Sequence, residues 1–132
     1  SWHIRLSIFT KLEIDFQHHT SIGGLPWTVA GGVARLAFRH WAERLENGLK
    51  PADLLIRSHK HQYRDSFGAH KTRATVCPAW ELKTEYVHKV VAESALADVG
   101  GVIIMVDPDK VPKLSITPVL FRPSSPKPWR PQ

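Results

Sequence analysis

Histidines carry most of the chemistry this chain can offer. The segment Arg57-Ser58-His59-Lys60-His61 follows a short apolar run, Leu54-Leu55-Ile56, with Asp53 just before it. Two histidines at i and i+2 after a strand address one small site if the backbone turns there. A second group, His18-His19, follows Leu12-Glu13-Ile14-Asp15-Phe16-Gln17. Neutral imidazole is the commonest protein ligand for transition metals. Two strand-to-loop junctions that both end in histidine predict a metal centre on the rim of a sheet.

The elements that must position these histidines follow from local pattern. Ile4 to Phe9 and Leu12 to Gln17 read as two strands joined by a tight connection at Thr10-Lys11. In the second run apolar and polar residues alternate, the period of a half-buried strand. His18 to Trp27, with Gly23-Gly24 and Pro26, reads as a loop. Thr28 is a fitting N-cap for a helix from Val29 to Asn47, with Val29, Val33, Leu36, Ala37, His40, Trp41 and Leu45 near one face. Gly48 and Pro51 signal its end. Asp53 to Arg57 is a short buried strand, and Thr72 to Val76 is strand-like up to Pro78. Trp80 to Glu93 suits either helix or strand. Gly100-Gly101 punctuates before a buried strand at Val102–Val106. A last strand runs from Leu114 to Phe121, interrupted or edged by Pro118. Ser124 to Gln132 is proline-rich and reads as an extended tail. There is no internal repeat, so residues 1–121 read as one α/β unit followed by the tail 122–132.

At 132 residues, 42% of them hydrophobic and 23% charged, the chain is ordinary for one soluble globular domain. A net charge of +6 favours anionic partners, phosphate esters and nucleic acid among them. The basic residues are spread out rather than massed, which weakens the nucleic-acid signal. A single cysteine, Cys77, excludes an internal disulfide and fits a reducing cytoplasm. No run reaches the roughly 18–20 apolar residues that cross a bilayer, and the N-terminus has no signal-peptide pattern. Strand-like sequence begins almost at Ser1, so the start is expected to be a cut within something longer.

Strand, His-His, helix, then strand and Ser-His-Lys-His resembles the C-terminal half of the calcineurin-like metallophosphoesterases. His18-His19 matches one motif of that family; Ser58-His59-Lys60-His61 matches Gly-His-x-His, with serine for glycine. The flanking residues are most similar to phage and prophage-type members: Leu25-Pro26-Trp27-Thr28 after the histidine pair, Arg57-Ser58-His59, Pro78-Ala79-Trp80 through Thr84, and Asp98-Val99-Gly100-Gly101. The family's Asp-x-His, Gly-Asp and Gly-Asn-His motifs do not occur in these residues. The resemblance implies part of a four-layered α/β/β/α sandwich, contributing one sheet and its helix. It implies two divalent ions (Mn, Fe, Zn or Ni) and a bridging water or hydroxide that attacks a phosphomonoester or phosphodiester. It places His18 and His59 on one ion and His61 on the other. His19 then touches substrate or supports the ligands, Asp53 and Ser58 are candidates for orienting imidazoles, and Arg57 is a candidate supporting or substrate-touching group.

Other residues have plainer readings. His40 lies on the apolar helix face and is expected to be packed; His3, His70 and His88 have no motif, although His70 is close enough in sequence to touch substrate. Cys77 is expected to be buried and inert, since no cysteine–histidine pattern accompanies it. Trp27, Trp41 and Trp80 suit a core, with Trp27 best placed to meet a ligand. Arg57, Lys60, Arg64, Lys71 and Arg73 form either a solvated surface or a phosphate-attracting rim. Two functions follow: a metal-dependent phosphoesterase part, incomplete as this chain, or a non-catalytic module that packs or binds nucleic acid.

Overall fold

The computed structural model describes residues 2–20, 22–23, 26–80 and 97–121. Strand β1 (His3–Ile8) and strand β2 (Leu12–Gln17) pair antiparallel, from His3 opposite Gln17 to Ile8 opposite Leu12. The turn falls at Phe9-Thr10, one residue earlier than expected: Lys11 N–H reaches Ile8 O at 3.2 Å, and Phe9 and Thr10 both adopt left-handed φ, 52° and 56°. Positive φ at both central residues gives the twist that tight hairpins require.

Helix α1 (Pro26–Glu46) starts three residues before the expected Val29, and Thr28 lies inside it rather than capping it. Proline suits the first helical turn, where its missing N–H has no intrahelical role. The helix ends as its sequence predicts. Gly48 takes φ 65°, Gly48 N–H bonds Leu45 O at 3.0 Å and Leu49 N–H bonds Arg44 O at 2.8 Å. This is the paired closure of a glycine-terminated helix.

The chain returns through strand β3 (Leu54–Arg57), parallel to β2 on one side and to strand β5 (Arg73–Val76) on the other. All four residues of β3 are buried, as a central parallel strand covered on both faces demands. A two-residue strand, β4 (Arg64–Asp65), pairs antiparallel with β5 and has no sequence signal. The sheet order is β1-β2-β3-β5-β4. Strands β6 (Val99–Val106) and β7 (Leu114–Phe121) form a separate antiparallel pair. Gly100 and Gly101 lie within β6 rather than before it. Gly100 has φ 150°, and a Cβ there would stand 2.0 Å from Val119 O, so only glycine fits this crossing. Pro118 sits within an unbroken β7, opposite Val102, as an edge strand permits.

Side-chain alternation sorts the core into two layers. Val33 and Ala37 of α1, with Leu36 alongside, pack on Leu55, Ala74 and Val76. On the other face Leu12, Ile14, Leu54 and Ile56 meet Ile104, Val106, Leu114 and Ile116 of the hairpin. Each fully buried aliphatic chain contributes about 1.5–3 kcal/mol relative to exposure. Leu45, expected on the apolar face, is exposed at the last helical turn. Among the described residues the architecture is therefore mixed α/β: a five-stranded mixed sheet, one α-helix and a small second sheet. The segment Trp80 to Glu93 beyond Trp80, and the tail, lie outside the described residues. No helix among the described residues is long and apolar enough to cross a membrane.

Candidate metal centre

Parallel pairing of β2 and β3 makes both strands release their chains at the same edge. The ladder continues one step past them, with Ser58 N–H donating to His18 O at 3.2 Å. The residues that follow are His18-His19 on one side and His59 on the other. The loop then turns sharply: His59 and His61 adopt φ 73° and 52°. Left-handed backbone at a non-glycine residue costs of order 1–3 kcal/mol and persists only where surrounding structure enforces it. Asp98 supplies that enforcement. Its N–H donates to His61 O at 2.7 Å, its carboxylate accepts from Tyr63 N–H at 2.7 Å, and its carbonyl accepts from Ala79 N–H at 3.0 Å.

The rings of His18, His19 and His59 stand edge to face, with centroids 4.8 to 5.3 Å apart. One nitrogen from each lies within 4.8 Å of the others, and all three residues are exposed. His59 Nδ1 and His18 Nε2 are 3.4 Å apart. Two nitrogens bound at about 2.0–2.1 Å with a tetrahedral angle are separated by about 3.3 Å, so this pair already has a ligand spacing. Among the described residues no carboxylate belongs to this group. Burial, then the neighbouring His19 and His18, hold the His59 imidazole below its ordinary range. That direction favours the neutral ring, the form that binds a metal.

The other candidates are placed as follows. His61 is half-buried and lies outside the three-ring cluster, but lines the same depression of about 380 Å³ with His18, Ser58, His59, Cys77 and Trp80. Ser58 is thus at the site. Asp53 is not: it precedes β3 at the opposite end, and its carboxylate accepts the Glu13 N–H at 2.8 Å. A strand's length separates it from the imidazoles, so it orients none of them. Arg57 is 5% exposed and turns to the helix side, ion-paired with Asp15 at 2.9 Å. It belongs to the frame beneath the site rather than to an exposed basic rim. Cys77 is half-buried, and burial pushes its thiol up, which suits an inert role. His40 accepts the Ala52 N–H at 3.1 Å and is a packing residue, as expected.

Three contributors lacked a clear sequence signal. His19, expected to support the ligands or touch substrate, stands in the cluster itself. Asp15 is buried on the helix side of β2, where an alternating strand shows only another polar position. Asp98 clamps the histidine loop from 37 positions further along the chain than His61. No family model matches the chain, and no curated protein or solved structure does either.

Proposed function

We propose that the chain contributes His18, His19, His59 and His61 to the divalent-metal centre of a calcineurin-like phosphoesterase. The observation that carries this reading is the convergence of His18-His19 and His59 at the carboxyl ends of adjacent parallel strands. In a four-layered α/β/β/α sandwich, α1 and the five-stranded sheet would be two layers and the β6–β7 pair part of a third. When bound, a pair of divalent ions would supply Lewis-acid stabilisation of phosphoryl transfer. His18 and His59 would hold one ion through Nε2 and Nδ1, with His19 beside them. His61, across the depression, would reach the second. Mn, Fe, Zn and Ni all accept such ligands.

Carboxylate ligands for such a centre would have to come from outside the cluster of described residues. The 132-residue chain is therefore expected to hydrolyse p-nitrophenyl phosphate or its bis-ester poorly with Mn²⁺. The absence of a carboxylate among the clustered imidazoles also favours a second reading, a non-catalytic metal-binding module. A longer chain that includes upstream sequence separates the two. Gain of metal-dependent turnover, lost in His59→Ala, supports the phosphoesterase; metal binding without turnover supports the module.

A further inference from the structure

A second cavity adjoins the histidine cluster from the helix side. It measures about 520 Å³ and lies between α1 and the carboxyl ends of β2 and β3. His19 lines it and so connects it to the cluster. The helix presents Leu36, Arg39, His40 and Glu43 to it, a stripe at i, i+3, i+4 and i+7.

This cleft is rich in hydrogen-bond donors that lack acceptors. Arg57 is nine-tenths buried yet lines it. The Arg57 side chain makes its contacts through Nη1: hydrogen bonds to Asp15 O at 2.9 Å and Ile56 O at 3.0 Å, and an ion pair with Asp15 Oδ1 at 2.9 Å. Nε and Nη2 make none. His40 accepts the Ala52 N–H through Nε2, so its neutral ring carries the proton on Nδ1, which has no partner. Thr20 Oγ1 is buried and unpartnered. Buried donors without acceptors are costly, and such sites call for an explanation. Here the loop leaves one, Thr20 Oγ1, at a cavity also lined by Arg57 and His40, whose remaining N–H groups make no hydrogen bond. Of the nearby carboxylates, Asp15 engages His3 through Oδ2 while its Oδ1 faces Arg57 Nη1 at 2.9 Å, and Glu43 lies 3.6 Å from Arg39.

We propose that this cleft binds a phosphate group, with Arg57 Nε and Nη2 as a two-pronged donor and Thr20 Oγ1 and His40 Nδ1 completing the cradle. A planar guanidinium fork matches phosphate oxygens. Donors arriving from three elements suit a tetrahedral anion better than a planar carboxylate. The phosphate belongs either to free inorganic phosphate or to the backbone of a nucleic-acid strand whose neighbouring group lies at the histidines. The site needs no metal, so it stands or falls separately from the phosphoesterase reading.

The test is an NMR titration of the 132-residue chain in EDTA with inorganic phosphate, acetate and a thymidine dinucleotide. Saturable shifts of the Thr20 amide and the His40 ring with phosphate are expected, with acetate about tenfold weaker. Thr20→Val, which keeps the shape, weakens phosphate binding about 3- to 10-fold with an unchanged melting temperature. Arg57→Lys, which keeps the charge and loses the fork, abolishes it; if that variant does not fold, Thr20→Val carries the test. Tighter binding of the dinucleotide than of phosphate assigns the strand as source, and weaker binding assigns free phosphate; either supports the site. Absence of saturable shifts with both ligands, acetate binding as tight as phosphate, or full affinity in Thr20→Val overturns the proposal.

Discussion

Asp15→Asn removes the carboxylate that anchors the frame beneath both cavities. Asp15 and Arg57 have side-chain exposures of 6% each, and His3 Nε2 adds a contact to Asp15 at 2.7 Å. Removing one member of a buried pair costs about 3–5 kcal/mol, because the other charge stays buried without compensation. Two carbonyls still accept from Arg57 Nη1, so the lower end, about 3 kcal/mol, is expected. With a urea slope of about 1–3 kcal/mol per M, the unfolding midpoint falls by roughly 1–3 M at unchanged slope. The pair Asp15→Leu with Arg57→Met recovers most of this loss, since apolar replacement of a buried pair is often neutral or better. Acid sharpens the comparison. Burial pushes the Asp15 carboxyl up, but the His3 hydrogen bond and the Arg57 charge outweigh it and hold the group below the usual range. A lowered folded value stabilises fully above the unfolded carboxylate value of about 3.9, and that share is lost as pH falls through the folded value. The gap between wild type and Asp15→Asn is therefore full at pH 6 and closes in strong acid. A loss below about 1 kcal/mol at pH 6, the level of a surface pair, refutes the reasoning.

Neighbouring helix glycines respond oppositely to alanine. Gly31 faces open space, so Gly31→Ala gains about 0.8–1 kcal/mol of helix propensity in thermal melts. At Gly32 a Cβ would lie 2.7 Å from Ile22 Cγ2 in the core, and overpacking of about 1–3 kcal/mol cancels or exceeds that gain. Equal stabilisation by both variants contradicts this packing. Asp98→Ala frees the histidine loop: stability falls by about 1–3 kcal/mol, and the Tyr63 amide, left without its acceptor, exchanges faster with solvent. Unchanged Tyr63 protection contradicts the clamp.

Periodicity carried much of the frame. The alternation in Leu12–Gln17 marks a strand with one apolar face, and Gly48 marks a helix end through its positive φ. The convergence of His18 with His59 was legible because both histidine groups follow strands. What stayed hidden depends on tertiary partners. Nothing local distinguishes Asp15 from Glu13, yet one is buried against Arg57 and the other is half-buried. Asp53 looked adjacent to the histidines in sequence, but β3 carries the chain away from it before the loop begins. Gly100 reads as a break because glycine disfavours strands, whereas close approach to Val119 requires it there. The two-residue β4 is too short for any pattern. The donor-rich cleft draws on residues from β2, its following loop, α1 and β3, a grouping that exists only once the sheet is assembled.

On the proposed reading, His18, His19 and His59 act together on one ion. Titrating the 132-residue chain with Zn²⁺ while following histidine ring nitrogens by NMR tests it most directly. The rings of His18, His19 and His59 are expected to shift in concert and to be saturated by the first equivalent, ahead of any response at His61. His3 and His70 stay unchanged, and His59→Ala removes the concerted response. Independent, weak shifts of scattered histidines, or a full response in His59→Ala, contradict it.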